Sequence, residues 1–227
     1  MKRRTDTWDH LVDNLVRDAV LHSPHVIRAM RQVPRGLFLP ERSIEYASVD
    51  APLPIGSGQT VSAPHMVAIM NEALELEVGH KVLEVGAGCG WHAATVAEIV
   101  APKDTPRSGR GHVYTSEIVA ELAQLSRERI MRNGFGDRVT VIHGDGSLGY
   151  PEQSPYDRVL VTAAAPEVPP PLVEQLKIGG VLVTPVGSAH LFQSLIRVRK
   201  SGDGSLVREN LGGVAFVPLT GRFGHRV

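Results

Sequence analysis

Short strand-like runs and helical segments alternate through the middle of the sequence. The strand-like runs, rich in β-branched residues, are KVLEVG, HVYTSE, RVTVIHGDG, DRVLVTAAA and GVLVTPVG. Parallel neighbours in a sheet need a crossover connection, usually a helix, so this order predicts βαβ units around a mostly parallel sheet. The turn SGDG between LFQSLIRVRK and SLVREN predicts an antiparallel hairpin at the sheet edge.

The remaining segments predict one domain in three parts. Apolar residues from Trp8 to Val20 recur at helical spacing, a short helix is expected over 25–31, and a further helix over 63–76 carries Pro64 in its first turn. A length of 227 residues suits a single α/β domain. We divide it into a helical and loop segment (1–78), a cofactor-binding core (79–190) and an edge hairpin with a tail (191–227).

Composition excludes several classes of function. Lys plus Arg and Asp plus Glu both total 24, so no broad field attracts nucleic acid or an acidic membrane. No stretch is long and apolar enough to span a membrane, and MKRR is not followed by the apolar run of a signal peptide. Cys89 is the only cysteine and the histidines show no metal-ligand spacing, so we expect a cytoplasmic protein without a disulfide or a metal.

A glycine-rich loop connects the first of these strands to a helix. VLEVGAGCGWHAA carries Gly86, Gly88 and Gly90, which allow a tight turn and a close approach of a ligand to the backbone. The third glycine comes two residues after the second, one fewer than in the dinucleotide fingerprint, and no Lys-Ser or Lys-Thr of a P-loop follows. The loop therefore indicates neither a dinucleotide nor a P-loop site.

Three acidic residues are expected at the carboxyl ends of successive strands. Glu84 lies two positions before the first glycine, where it would repel a phosphate but attract a cation, directly or through a water. Glu117 closes the next strand and can accept hydrogen bonds from ribose hydroxyls, while Asp145 can accept one from an adenine amino group. Each could be an ordinary surface carboxylate, but together they predict a site for S-adenosylmethionine.

The segment after the fourth strand bears on the methyl acceptor. It reads VTAAAPEVPP and contains no Asp/Asn-Pro-Pro-aromatic cluster and no base between Thr162 and Pro166, so the nucleophile is expected to arrive deprotonated. A carboxylate, with an α-carboxyl pKa of roughly 3.5, meets that condition. Two alternatives stay open: the alanines could serve close packing alone, and Cys89 could be a nucleophile, although a small filler is favoured.

Four blocks of sequence resemble one known family. PLPIGSGQTVSAPHMVA, VLEVGAGCGWHAA, GDGSLGYPEQSPYDRVLVTAAAPEVPPPLVEQLKIGGVLVTPVG and FVPLTGRFG are similar to the protein-L-isoaspartate O-methyltransferases, over roughly residues 10–225. The resemblance implies a Rossmann-like S-adenosylmethionine-dependent methyltransferase fold with helices on both sheet faces. It also implies methylation of the free α-carboxylate of isoaspartyl residues in damaged proteins and peptides, with S-adenosylhomocysteine as product. The ester then closes to a succinimide, whose hydrolysis returns some aspartate.

The resemblance also implies site residues. Ser62 is the residue assigned to catalysis, and we expect it to orient the acceptor as a hydrogen-bond donor instead of acting as a covalent nucleophile. An uncharged loop suits this role, because a cationic side chain would lower the nucleophilicity of the carboxylate. The implied substrate residues are Gln59, Thr60, Val61, Ser62, Ala163, Ala164, Ala165 and Pro166. The implied cofactor residues are Thr60, Val61, Ser62, His65, Glu84, Gly86, Gly88, Gly90, Glu117, Ile118, Asp145, Gly146 and Thr220.

Some of these residues could have purely structural roles, and other positions depart from the family pattern. Ser62 could simply cap the following helix, and His65 and Thr220 could stabilise the fold. Trp91 and His92 replace the Tyr-Gln common after the glycine loop in the family, and His225 is another departure. The basic residues of loop 101–112 are expected to be solvated.

Alternative functions also remain. The chain could act on one dedicated carboxylate substrate, or could bind S-adenosylmethionine as a non-catalytic sensor. A nucleic-acid methyltransferase is disfavoured by the zero net charge. Because no heptad or long apolar edge demands a partner, we expect a monomer.

Overall fold

The computed structural model of the protein describes residues 4–189 and 192–226. Its main sheet has seven strands in the order β5-β4-β3-β6-β7-β8-β9, of which the first five run parallel. The last two pair antiparallel at one edge. The predicted Rossmann-like α/β fold with an edge hairpin is thus confirmed. The strands of the protein are β1 (Leu53–Gly56), β2 (Gln59–Val61), β3 (Lys81–Val85), β4 (His112–Glu117), β5 (Val139–His143), β6 (Tyr156–Val161), β7 (Leu176–Gly187), β8 (Gln193–Lys200) and β9 (Leu206–Val214).

The chain order places a crevice beside β3. From β3 the chain proceeds to β4 and β5 on one side and then returns to β6 and β7 on the other. In open parallel sheets, ligands bind outside the carboxyl ends of the strands where the strand order reverses. The residues after β3, which form the glycine-rich loop, therefore occupy the expected binding position.

The predicted helices are present. The helices of the structure are α1 (Arg4–Arg17), α2 (Pro24–Gln32), α3 (Pro64–Ala73), α4 (Trp91–Val100), α5 (Ala120–Arg132) and α6 (Pro170–Glu174). Pro64 opens α3, where its missing N–H costs no helical bond. The residue at the N-cap is Ala63, and no side chain bonds there, so the interpretation of Ser62 as a helix cap is wrong.

Trp91 joins the N-terminal helices to the sheet. Its side chain is fully buried at the start of α4, and its indole N–H donates to the Val33 carbonyl at 2.8 Å. Its ring meets that of Trp8 edge to face, with centroids 5.8 Å apart. Aromatic pairs of this kind add about 0.5–1.5 kcal/mol beyond the burial of their area. The departure at Trp91 therefore serves packing of the N-terminal helices against α4.

A short hairpin of β1 and β2, which the sequence pattern did not predict, precedes α3. Its turn residues Ser57 and Gly58 both have positive φ, 49° and 70°, which is the requirement of a tight type I′ connection. Val61 ends β2, so Ser62 lies in the short link between this hairpin and α3.

The loop at 101–112 is only partly solvated. Lys103 and Arg107 are exposed as expected. Arg110, in contrast, donates to the carbonyls of Thr105 and Lys103 and pairs with Asp137 at 3.3 Å. The expectation for Arg110 was therefore wrong, because its side chain holds the expanded loop together.

Candidate active site

A cleft opens at the carboxyl end of β3. Its walls come from the loop that leads into α3, the glycine-rich loop, residues at or after the ends of β4, β5 and β6, and part of a C-terminal segment, residues 215–226. The predicted site residues on its wall are Gln59, Thr60, Val61, Ser62, Gly86, Gly88, Glu117, Ile118, Gly146, Ala163 and Thr220. The fold thus brings together residues that are far apart in the sequence, from Gln59 to Thr220.

The glycines of the loop have distinct physical roles. Gly86 has φ +99°, and a Cβ there would come within 2.2 Å of the Thr162 hydroxyl oxygen, which donates to the Gly86 carbonyl. Gly88 lines the cleft, whereas Gly90 does not. A Cβ on Gly90 would instead lie 3.2 Å from Ile130 of α5. The prediction that Gly90 contacts the cofactor is not supported by its position, because this glycine allows α4 to pack against α5.

Glu117 connects the end of β4 to the glycine-rich loop. Its two carboxylate oxygens accept the backbone N–H groups of Gly88 at 2.9 Å and Val119 at 3.0 Å. A carboxylate has about four acceptor positions, so Glu117 retains capacity for two more donors on the cleft side. Ile118, 41% exposed, adds an apolar surface to the same wall. A carboxylate with free acceptor positions beside an apolar side chain suits a ribose diol next to an aromatic base.

Asp145 follows β5 as predicted, but its carboxylate is engaged by other parts of the chain. Gly146 lines the cleft but Asp145 does not. The Asp145 carboxylate accepts the N–H and hydroxyl of Ser147 and, at 2.8 Å, the backbone N–H of Arg222. The Asp145 carboxylate thus anchors the C-terminal segment next to Gly146, whose backbone lies on the cleft, and its predicted contact with an adenine amino group stays a prediction.

The C-terminal segment is held over the cleft by backbone bonds as well as by side chains such as that of Asp145. Leu219 donates to the Ala164 carbonyl at 2.7 Å, and His225 donates through its backbone N–H to the Leu219 carbonyl at 2.7 Å. The departure at His225 therefore leaves this bond intact, since any residue other than proline could make it. Thr220 thereby comes to lie on the cleft wall, as predicted.

A second cavity adjoins the cleft. Thr60, Ser62 and Thr162 line both, and the walls of the second cavity are otherwise largely apolar. Ser62 is therefore at the junction of the two. Other residues on the second cavity are Pro52, His65, Met66, Phe192, Gln193, Val214 and Phe216.

His65 belongs to the second cavity and not to the cofactor cleft. Its backbone N–H and its ring Nδ1 both lie 2.9 Å from the same Asp50 carboxylate oxygen. The predicted cofactor contact of His65 is therefore not supported. Its pairing with Asp50 instead fixes the first turn of α3 to the preceding loop.

The alanine run after β6 divides into two parts. Ala163 lines the cleft, whereas Ala164 and Ala165 are fully buried and line neither cavity. Their backbone groups bond to the C-terminal segment and to β7. Pro166 is exposed away from both cavities. The burial of Ala164 and Ala165 speaks against the predicted substrate contact of these two side chains, and close packing accounts for their small size; the contact predicted for Pro166 stays a prediction.

Cys89 is a filler of the glycine-rich loop. Its side chain is buried, and burial raises the pKa of its thiol to about 11. Because only the thiolate is an effective nucleophile, Cys89 is unreactive near neutral pH. This result confirms the favoured interpretation over the nucleophile.

Glu84 lies behind the cleft wall instead of on it. Its side chain is fully buried, and one carboxylate oxygen accepts the hydroxyl of Thr115 on β4. The other oxygen, Oε1, has no hydrogen-bond partner and faces Nδ1 of His92 at 4.0 Å. Burial raises the pKa of Glu84 to about 8. Sequence reasoning placed this residue at the right strand end but did not foresee that its side chain is buried beside His92, which itself lines the cleft.

Two further classes of site are tested in the described part of the chain. Across residues 4–189 and 192–226, no three His, Cys, Asp or Glu side chains converge as metal ligands would. In the same residues no helix has the length and apolar character needed to cross a membrane.

Comparison with known proteins decides the family. The family model of protein-L-isoaspartate(D-aspartate) O-methyltransferase matches residues 6–224. This chain belongs to that family. Among its relatives is a protein-L-isoaspartate O-methyltransferase of Hyperthermus butylicus, 55% identical over 95% of this chain and 89% of that protein. Another, from Thermococcus sibiricus, is 53% identical over 96% of both chains.

A solved structure of the family carries a ligand. The protein-L-isoaspartate O-methyltransferase of Plasmodium falciparum, in complex with S-adenosyl-L-homocysteine, superposes with a TM-score of 0.81 at 28% identity. The match covers 94% of this chain and 98% of that one. As a protein-L-isoaspartate methyltransferase, this chain uses S-adenosylmethionine, and its own residues fit that cofactor. Gly86 leaves room for close approach, Glu117 offers free acceptor positions, and Glu84 Oε1 is an unpartnered buried acceptor.

Proposed function

We propose that the cleft holds S-adenosylmethionine and that the second cavity holds the isoaspartyl segment of a damaged protein or peptide. The observation that most directly supports this proposal is that Thr60, Ser62 and Thr162 line both spaces, so the two proposed sites meet at these residues. The enzyme transfers a methyl group to the free α-carboxylate of L-isoaspartyl residues. Within this chain, Glu117 and Ile118 are proposed to hold the adenosine, and Thr220 to close over it.

The cofactor supplies a methyl group on a positively charged sulfur, which is a strong electrophile toward an anionic oxygen. The acceptor carboxylate is already ionised at neutral pH, so the protein does not need to remove a proton. What the protein has to provide is alignment, because fixing two reactants in line can supply much of the barrier reduction. The second cavity offers this by confining a peptide next to Ser62.

Ser62 is proposed to orient the acceptor through its hydroxyl. Among residues 4–189 and 192–226, no hydrogen bond engages this hydroxyl, whereas the Ser62 carbonyl is held by Arg35 at 3.3 Å. A covalent role would need an adjacent base, and within the same residues none bonds the hydroxyl. A fixed backbone with a free hydroxyl is the arrangement expected of a hydrogen-bond donor to substrate.

The reaction is tested with two synthetic peptides that differ only in containing L-isoaspartate or L-aspartate. We expect labelled methyl groups from S-adenosylmethionine to appear on the isoaspartyl peptide alone. Labelling of neither peptide, with S-adenosylhomocysteine still bound, would favour a dedicated substrate or a sensor. Equal labelling of both would contradict recognition of the isoaspartyl linkage.

Replacing the Ser62 hydroxyl is expected to slow turnover selectively. Ser62→Ala should lower kcat by about ten- to a hundredfold, the effect of losing one well-placed hydrogen bond worth about 1.5–3 kcal/mol to a charged group. Affinity for S-adenosylhomocysteine, measured by calorimetric titration, should change little. Ser201→Ala, in the turn beyond β8, is the control. Unchanged kcat with weakened ligand binding would show that Ser62 is a cofactor residue only.

Three sequence predictions stay predictions. A cytoplasmic location agrees with the buried single cysteine, and monomeric action agrees with the lack of heptads in the sequence. The single-domain organisation with parts 1–78, 79–190 and 191–227 also remains our proposal. It is supported by one buried apolar cluster that includes residues of α1, α2, β3 and α4.

A further inference from the structure

Three buried polar side chains form a row behind the cleft wall. Glu84 on β3, His92 on α4 and Asn71 on α3 are 0%, 6% and 0% exposed. Each has a buried polar atom without a partner: Glu84 Oε1, His92 Nδ1 and Asn71 Nδ2. Buried polar atoms are normally satisfied, so this row indicates a proton, a water or a ligand group that completes it.

The hydrogen bonds of the row identify where a proton belongs. His92 Nε2 lies 3.1 Å from the Asn71 amide oxygen, and because that oxygen can only accept, this orientation of the amide assigns the ring proton to Nε2. Burial lowers the pKa of His92 to about 3, which keeps the ring neutral and leaves Nδ1 as an acceptor. This acceptor faces Glu84 Oε1 at 4.0 Å. Two acceptors facing each other away from water are unfavourable unless one of them bears a proton.

The surroundings of Glu84 supply no compensating positive charge. From β4 it meets the Thr115 hydroxyl and the field of Glu117, and its neighbour on β6 is the apolar Leu160. Cys89 of the glycine-rich loop is a neutral thiol, and His92 on α4 is a neutral ring. Within the described ranges, no lysine or arginine lies within ion-pairing distance of Glu84.

We propose that His92 and Asn71 are positioning residues that hold Glu84 as a neutral acid in the empty cleft, and that Glu84 loses its proton when a ligand bearing an ammonium group binds. The Glu84 O–H bond breaks, the proton passes to solvent, and the resulting carboxylate compensates the ligand's charge across the wall. His92 does not retain the proton, since an imidazolium in the wall would repel that ligand. This inference rests on the proposed placement of the cofactor.

The raised pKa of Glu84 supports the direction of this linkage. With a pKa of about 8, the acid is mostly protonated at pH 7 in the empty protein. A cation nearby favours the ionised form, and in a low-dielectric interior this effect is large. Affinity for the ligand should therefore rise by up to tenfold per pH unit from pH 6 towards pH 8 and level off above it.

Calorimetric titration in buffers of different ionisation enthalpy measures the released proton. We expect S-adenosylhomocysteine to release close to one proton at pH 7, by comparison of phosphate with Tris. 5′-Methylthioadenosine, which shares the adenosine and thioether but lacks the amino acid, should release none. Binding of S-adenosylhomocysteine without proton release, or equal release by both ligands, would overturn the inference alone. Failure of S-adenosylhomocysteine to bind would overturn the proposed function and this inference with it.

Infrared difference spectroscopy provides a second readout that does not depend on turnover. Addition of S-adenosylhomocysteine should remove the band of a protonated carboxylic acid from the spectrum of the unaltered protein. In Glu84→Gln this band should be absent before and after addition. In His92→Gln, whose amide oxygen can still accept from Glu84, the band and its loss should persist. A band that persists on binding, or one that is equally present in Glu84→Gln, would show that Glu84 is not the proton carrier.

Discussion

Arg35→Met is expected to destabilise the protein by about 3–5 kcal/mol, because it removes a buried donor that several backbone carbonyls share. The Arg35 side chain is fully buried, and its donors reach the carbonyls of Tyr46, Ala47, Val49, Ala51 and Ser62. Without the guanidinium these carbonyls lose their shared donor, and each buried unsatisfied group costs about 1–3 kcal/mol. The free energy of unfolding in urea measures the loss.

The same substitution should also disorganise the loop that carries Ser62. We expect kcat of the folded Arg35→Met variant to fall by at least about tenfold, because misplacing a substrate-orienting group has large effects on rate. Binding of S-adenosylhomocysteine should be less affected, since the carbonyls that Arg35 holds lie outside β4 and the glycine-rich loop. Arg35→Lys keeps the charge and up to three donors. Its kcat should therefore lie between those of Arg35→Met and the unaltered protein.

Arg42→Met is the matched control, because Arg42 is exposed on the neighbouring 3-10 helical turn. Surface substitutions of this kind usually change stability by no more than about 0.5 kcal/mol. Equal effects of Arg35→Met and Arg42→Met would contradict the organising role of Arg35.

Glu84→Gln is expected to stabilise the empty protein increasingly as the pH rises. In the folded protein the pKa of Glu84 is raised from 4.5 to about 8, so the unfolded chain gives up this proton at lower pH than the folded protein. The stability contributed by the neutral acid is complete below about pH 4.5 and is lost as the pH rises towards 8. At about 1.4 kcal/mol per pH unit, the loss reaches the order of 4 kcal/mol. Glutamine does not ionise, so the stability of Glu84→Gln does not fall in this way as the pH rises.

Urea unfolding at pH 5.5 and pH 8 tests this expectation. The stability difference between Glu84→Gln and the unaltered protein should be clearly larger at pH 8 than at pH 5.5. The glutamine amide can donate to His92 Nδ1 at both pH values, so the variant itself should depend little on pH at this site. Glu45→Gln, at an exposed position, should show no such trend. If the difference for Glu84→Gln were the same at both pH values, Glu84 would not be a buried proton carrier, and the proton release proposed above would also fail.

Sequence reasoning was most successful where the information is local. The periodicity of apolar residues predicted α1, α3 and the parallel strands, since helices and strands place side chains on one face at fixed intervals. The missed hairpin β1–β2 shows the limit of this method. Its strands have only four and three residues, too few for an alternating pattern to stand out.

In the candidate site, too, local sequence predicted some features, whereas others depend on distant segments of the chain. Glycine spacing identified the loop at Gly86 and Gly88, and the end of a predicted strand identified Glu117, because backbone conformation and position at a strand end follow from nearby residues. The resemblance to the family identified Ser62 and Thr220 as site residues, and both line the cleft. Only the tertiary structure decided the partners of the polar side chains. The Asp145 carboxylate accepts a bond from Arg222, 77 positions later, and the Glu84 side chain is buried beside His92. Burial and hydrogen bonding depend on segments distant in the chain, so no local pattern could have specified which carboxylates face the ligand and which hold the fold.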